Sequence, residues 1–224
     1  MESVGVHLTC VVAFSVNVLA SVAEFPGVVF ANDSKQIAGP YMASIVRPAV
    51  IGLGSNLGDR VGNVLSGASM IARLTNARRS RLSPLYETVP VGGPPQGNYI
   101  NAAIELLTDL PARSLLMLAL AVEQKHGRLR LERFGPRTLD IDILWIEGEV
   151  VDHEVLTVPH PRLVERSFAL KPMLDLVPDS VDPRSGQAFR QAMAGLSLEG
   201  IREIAPSSVQ CGFQFAEAAA AGIV

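Results

Sequence analysis

The sequence predicts an α+β domain of the ferredoxin-like sandwich kind, with helices packed on a mainly antiparallel sheet. Between Ala49 and Ile146 strand-like and helix-like runs follow one another in the order β-α-β-β-α-β, the order of that fold. The two helical runs are apolar along one stripe only, as helices lying on a sheet must be. With 224 residues, 48% of them hydrophobic and 18% charged, the chain has material for one well-filled core, which excludes wholesale disorder and low-complexity classes.

The elements can be justified in order. Ala49-Val50-Ile51-Gly52-Leu53-Gly54 is a short apolar strand ending in glycines. Gly52-Leu53-Gly54-Ser55-Asn56-Leu57-Gly58 reads as a tight turn, with Ser55-Asn56 offering N-cap side chains to a helix. That helix carries Val61, Val64, Leu65, Ala68, Ile71 and Ala72 on one stripe. Arg78 to Glu87 alternates weakly as a strand, and 88–97 is too rich in Pro and Gly to be anything but a loop. Asn98 to Leu107 is a second long strand. Pro111 then opens a helix with Leu115, Leu116, Leu118, Ala119 and Val122 on its apolar face, and Gly127 stops it.

After an Arg-rich loop at 128–138, Leu139 to Ile146 is the clearest strand in the chain. Gly148 turns it toward Val150-Val151 and a return strand, ended by Pro159-His160-Pro161. A helical segment around Arg162–Leu176 follows, then a Pro/Asp/Gly break at 178–186 and a last amphipathic piece from Phe189 to Ile204.

Charge and cysteine usage narrow the function. Lys+Arg 19 against Asp+Glu 22 leaves −3, so there is no general positive field for non-specific nucleic-acid binding, and no nucleic-acid partner is expected. The basic residues are Lys35, Lys125 and Lys171 beside sixteen arginines, a bias that suits bidentate recognition of phosphate and that a base-composition bias explains equally well. Cys10 and Cys211 stand near opposite ends, excluding a disulfide framework and paired-Cys zinc patterns, so a reduced, cytoplasmic setting is the default. The four histidines show no zinc-hydrolase spacing.

Residues 1–41 differ from the rest. Leu8 to Ala23 is an apolar run, interrupted by polar residues and shorter than the roughly 20 residues a membrane span needs, and no membrane partner is expected. Ser21-Val22-Ala23 and Val29-Phe30-Ala31 resemble signal-peptide cleavage sites, but the first 34 residues contain no Lys or Arg for an n-region. The preferred reading is a domain at 42–204 starting at Met42, with 1–41 a poorly ordered extension or mis-assigned start and 205–224 a frayed tail.

Charge and structure coincide at 127–142, GRLRLERFGPRTLDID. Side chains alternate faces along a strand, so Asp140 and Asp142 point the same way, roughly 6–7 Å apart, while Leu139, Ile141 and Ile143 face the core. A bare Asp-x-Asp is more often a solvated strand face. Arg128, Arg130, Arg133 and Arg137 just before it change the balance, because a polyphosphate fits both halves. Mg²⁺ would bridge its oxygens to the aspartates, and guanidinium forks would neutralise the rest. No P-loop and no protein-kinase motif set is present.

Arg133-Phe134-Gly135-Pro136-Arg137-Thr138-Leu139-Asp140-Ile141-Asp142-Ile143-Leu144 resembles the signature of the 6-hydroxymethyl-7,8-dihydropterin pyrophosphokinase family. The likeness continues, in order and spacing, through Ile51 to Gly58, Ser83-Pro84-Leu85-Tyr86-Glu87-Thr88, Asn98 to Ala103 and Leu156 to Pro161, covering about 49–182.

The resemblance implies a ferredoxin-like fold and transfer of pyrophosphate from ATP to the hydroxymethyl oxygen of the pterin, with release of AMP, in folate biosynthesis. It implies two Mg²⁺ held by Asp140 and Asp142, with Arg128 and Arg137 joining them in catalysis. It also implies an ATP site formed by Glu123, Arg128, Arg130, Arg133, Arg137, Ile143, Leu156, Thr157, His160 and Arg166. For the pterin it implies Thr88 and Val91 through the backbone, Asn101 as the ring-recognising amide, and Tyr99 and Phe168 as aromatic walls. Stacking suits a flat heteroaromatic ring, and an amide presents a donor and an acceptor to its edge.

Two other functions compete: a Mg²⁺-dependent phosphohydrolase or nucleotidyltransferase using the same Asp pair, and an RNA-binding ferredoxin-like module. The acidic net charge and the absence of an RNP-type run count against the latter. A monomer is expected.

Overall fold

The structure is a computed structural model that describes residues 45–127 and 135–204. The extension 1–41, the tail 205–224 and Arg128, Arg130, Arg133 and Phe134 lie outside the described residues.

Strand β1 (Arg47–Ser55) leads into helix α1 (Arg60–Leu74), then come β2 (Arg79–Leu82), β3 (Leu85–Thr88) and β4 (Tyr99–Thr108). Helix α2 (Ala112–Lys125) precedes β5 (Asp140–Ile146), the hairpin β6 (Val151–His153) and β7 (Leu156–Val158), α3 (Ser167–Leu176), α4 (Phe189–Ala194) and β8 (Ile201–Ile204). The main sheet runs β5-β1-β4-β3-β8 with β2 also paired to β4. Every pairing is antiparallel. Its first four strands have the ferredoxin-like order, as the alternation of elements predicts.

Side-chain alternation divides the sheet. The face carrying Leu53 and Leu139 receives α1, and Gly67 lets the helix come close: a Cβ there would lie 2.7 Å from the Leu139 side chain. Ile51, Val64, Ile71, Leu115, Leu118 and Val122 are buried in the chain's core. On the other face Val50, Ala103, Leu144 and Trp145 form a second apolar cluster with Leu170, Met173 and Leu176 of α3 and Phe189 of α4. The sheet is thus covered on both sides by apolar burial, the largest favourable contribution to such a fold.

Several local readings are corrected. Asp59, not Ser55-Asn56, caps α1, accepting from Gly62 N at 2.9 Å. Gly52 and Gly54 lie within β1 instead of forming a tight turn; the left-handed glycine of that segment is Gly58, φ +63°. The strand expected at 78–87 is split at Ser83-Pro84, where proline has no N–H to donate. Ser83 bridges the gap by donating N–H to Ala103 O and accepting Ala103 N at Oγ, both at 2.9 Å. The return strand β6 pairs with β7, not with β5. The expected amphipathic piece 189–204 is a short helix and an edge strand, because Gly195 and Gly200 (φ +75°) interrupt it and β3 offers a free edge.

Candidate active site

Five elements, β1, β3, β4, β5 and α3, build the site on the α3 side of the sheet. Even-numbered positions of β1 face this way, and two of them are glycines. At Gly52 a Cβ would press on Leu144 at 3.2 Å, and at Gly54 it would meet Asn101 Oδ1 at 2.8 Å. The glycines make room for the Leu144 and Asn101 side chains that lean over them, and a cleft of about 540 Å³ opens above this floor. Its lining includes Gly52, Gly54, Thr88, Val91, Gln96, Tyr99, Asn101, Arg137, Asp140, Asp142, His160, Arg162, Arg166 and Phe168.

At one end, Asp140 and Asp142 project from β5 toward the cleft while Ile141 and Ile143 are buried beneath. Arg137 donates to Asp140 Oδ2 at 2.5 Å. Arg166 adds a second positive field on both aspartates; its own pKa is lowered by burial first and by Arg162 next. Among the described residues no cluster of three or more His, Cys, Asp and Glu side chains could enclose a metal. Two carboxylates on one strand face, in an open cleft, fit a hard cation whose other ligands come from water and a bound phosphate.

His160 completes this end. Its Nδ1 accepts Arg162 N–H at 3.2 Å, so the neutral ring carries its proton on Nε2. Burial, reinforced by the Arg166 and Arg162 guanidiniums, brings its pKa down to about 4.

The other end is polar at its base and aromatic at its walls. Asn101 is 8% exposed and donates to Thr88 Oγ1 at 2.7 Å. Tyr99 donates its hydroxyl to Gln96 Oε1 at 3.1 Å, and Asn56 Nδ2 donates to the same oxygen at 2.9 Å. Phe168, at the start of α3, has the Arg166 guanidinium 5.8 Å from its ring centroid.

Of the residues expected from the sequence, Thr88, Val91, Tyr99, Asn101 and Phe168 gather at this end, and Arg137, Asp140, Asp142, His160 and Arg166 at the other. Glu123, Ile143, Leu156 and Thr157 are not among the cleft-lining residues. Glu123 is 2% exposed and its Oε1 accepts Ile141 N–H at 2.7 Å, a partner for an edge strand's outward donor. Ile143 is buried in the core, and Leu156 and Thr157 lie on β7.

Sequence reasoning missed Asn56, which ties the two ends together. Its N–H donates to Arg137 O at 3.1 Å and its Oδ1 accepts Arg137 N at 2.7 Å, while its amide holds Gln96. It also missed the floor glycines. Glycine at alternate positions of an apolar strand was the available signal, since period-two spacing empties one face.

A family model described as 7,8-dihydro-6-hydroxymethylpterin-pyrophosphokinase matches residues 50–178. The chain is 38% identical over 158 residues to the 2-amino-4-hydroxy-6-hydroxymethyldihydropteridine pyrophosphokinase of Synechocystis, covering 70% of this chain and 80% of that protein. The enzyme of the same name from Methylorubrum extorquens is 37% identical over 156 residues, covering 70% of this chain and 98% of that one. The folic acid synthesis protein fol1 of Schizosaccharomyces pombe is 32% identical over 217 residues, covering 90% of this chain and 30% of that protein. Among solved structures, the Plasmodium falciparum HPPK-DHPS wild type with pteroate superposes with a TM-score of 0.53 at 13% identity, covering 71% of this chain and 48% of that one. That likeness concerns the fold. The family model spans more than half of the chain, and two enzymes of that name match it at 37% and 38% identity: the chain belongs to the 7,8-dihydro-6-hydroxymethylpterin-pyrophosphokinase family.

Proposed function

We propose that this chain, a pyrophosphokinase of folate biosynthesis by family, transfers pyrophosphate from ATP to the hydroxymethyl group of 6-hydroxymethyl-7,8-dihydropterin, and that the cleft between Asp140 and Asn101 is where it does so. The observation that carries the reading is the division of one cleft into an ionic end and an aromatic, amide-based end across the glycine positions of β1. A triphosphate suits the first and a flat, hydrogen-bonding bicycle the second.

In the reaction the pterin hydroxymethyl oxygen bonds to the β-phosphorus of ATP, the bond from that phosphorus to the α,β-bridging oxygen breaks, AMP leaves, and the hydroxyl proton is released. Little covalent chemistry falls to the protein, so positioning and charge stabilisation dominate. Asp140 and Asp142 would hold two Mg²⁺, which supply charge neutralisation on the phosphate oxygens. Arg137 and Arg166 face the same end, and Arg128, Arg130 and Arg133, which precede Arg137 in the sequence, are assigned to the phosphates. His160, neutral above about pH 4, is assigned an Nε2–H donor role toward the nucleotide. Asn101 offers the pterin edge its amide, Tyr99 and Phe168 its walls, and Thr88 and Val91 backbone groups.

Glu123, Ile143, Leu156 and Thr157 remain assigned to the ATP side, Glu123 acting through β5. We assign this activity to residues 42–204, acting as a cytoplasmic monomer without nucleic-acid partners. Among the described residues no helix is long and apolar enough to cross a membrane. Calorimetry with 6-hydroxymethyl-7,8-dihydropterin, a non-hydrolysable ATP analogue and Mg²⁺ tests the reading. Saturable pterin binding that requires the nucleotide site to be functional supports it; no pterin binding under any of these conditions refutes it.

A further inference from the structure

Tyr86 belongs to a segment that resembles the family, yet it lines no part of the cleft. It is 3% exposed, and β3 places it directly opposite Asn101 of β4, on the same sheet face. Its hydroxyl donates to Asp175 Oδ2 at 2.5 Å and accepts from Lys171 Nζ at 2.9 Å, and Lys171 and Asp175 are themselves ion-paired. The Lys171 ammonium also lies 5.1 Å from the Tyr86 ring centroid. Phe168, Lys171 and Asp175 are spaced three and four apart on α3, which puts them on one stripe of the helix.

This geometry links two sides of one gap. The sheet carries Asn101, and α3 carries Phe168 about 4.5 Å of helix rise from Lys171. This clasp is a polar tie from α3 to β3, and Arg81 of β2 adds another at the C-terminal end of the helix, donating from Nη2 to Leu176 O at 2.7 Å. The apolar contacts of Leu170, Met173 and Leu176 hold the helix against the sheet, but such contacts are non-directional and leave its rotation and tilt softly defined. Directional bonds to a buried hydroxyl define them.

We propose that Tyr86, Lys171 and Asp175 are positioning residues for the pterin: the clasp sets the roll of α3 and so the width of the slot between the Phe168 wall on α3 and the Tyr99 wall on β4, beside the Asn101 amide. The inference rests on the functional reading above and deepens it, since slot width is what separates a flat bicyclic heteroaromatic from thicker or larger rings. The clasp touches no atom of the ionic end, and Arg166, which caps α3 and lies 5.8 Å from the Phe168 ring centroid, is outside its helical turns, so loss of the clasp acts first on the ring and less on the triphosphate.

The test compares Tyr86→Phe, which keeps the buried ring and removes the hydroxyl, with Lys171→Met and the conservative Lys171→Arg. Pterin and nucleotide affinities are measured separately by calorimetry, alongside KM for each substrate and thermal unfolding. Loss of the hydroxyl or the ammonium is expected to weaken pterin binding on the order of tenfold while nucleotide affinity stays within about twofold, and Lys171→Arg to restore most of the loss. If Tyr86→Phe fails to fold, Lys171→Met, which leaves the tyrosine in place, decides. Variants that bind pterin like wild type, or that lose both ligands equally, overturn the inference. A wild-type protein that takes nucleotide but no pterin overturns the functional reading first, and this inference with it.

Discussion

Asn101 lies directly across β1 and β4 from Gly54, and its Oδ1 stands 2.8 Å from where a Cβ at position 54 would be. The glycine is required by its partner, not by a turn. Gly54→Ala should push the Asn101 amide off its bond to Thr88 and into the cleft. A pterin-affinity loss on the order of tenfold is expected, with nucleotide affinity kept. Calorimetry with each ligand checks this, and unchanged pterin binding would show that the amide does not read the ring.

Asp140 and Asp142 repel each other, but Arg137 pairs with Asp140 and Arg166 lies within the field of both. Removing either carboxylate therefore brings no large release of strain, and a partly buried pair open to the cleft contributes on the order of 1 kcal/mol. Asp140→Asn and Asp142→Asn should keep the fold and lose at least about a hundredfold in turnover. Steady-state kinetics across a Mg²⁺ titration, with thermal melts, separates these effects. Retained activity in either variant would remove the metal assignment.

Acid stability should carry the signature of His160. Its folded pKa, about 4, is below the ordinary imidazole value of 6.5. Between those values the unfolded chain binds the proton and the folded chain does not. Stability is therefore full above about pH 6.5 and falls as pH drops toward 4. His160→Gln should flatten that limb by close to one proton's slope in urea denaturation series at several pH values. An identical limb in the variant would place the proton elsewhere.

Glu123 separates a structural role from a nucleotide-binding one. Glu123→Ala strands the buried Ile141 N–H, whose bond to Glu123 is 2.7 Å, and should cost about 1–3 kcal/mol of stability. Glu123→Gln keeps an acceptor and should recover much of it. Urea denaturation of both variants gives the comparison, and a nucleotide-affinity loss in the Gln variant without a stability loss would mean direct contact with ATP.

The fold was legible because its signals are local. The β-α-β-β-α-β order, the two apolar stripes and the Asp-x-Asp strand all follow from periodicity that neighbouring residues carry. The misreadings came where partners distant in sequence decide. Pro84 broke an alternating strand that β4 nevertheless pairs on both sides of the break. Residues 201–204 became a strand because β3 had an open edge, not because of their own pattern.

The site divides the same way. Asp140, Asp142 and Arg137 announce themselves within a few residues, whereas Asn56, 81 residues from Arg137, gives no local sign that it holds that backbone. The two ends of the cleft, from β4 and α3 on one side and β5 on the other, were connected in advance by family resemblance alone.

Product analysis with purified protein, Mg²⁺ and ATP, run with and without 6-hydroxymethyl-7,8-dihydropterin, bears most directly on the central claim. Chromatography should find AMP and a pyrophosphorylated pterin in equal amounts, and neither when pterin is left out. ADP or free phosphate formed regardless of pterin would contradict the account and assign the Asp140–Asp142 end to a hydrolase.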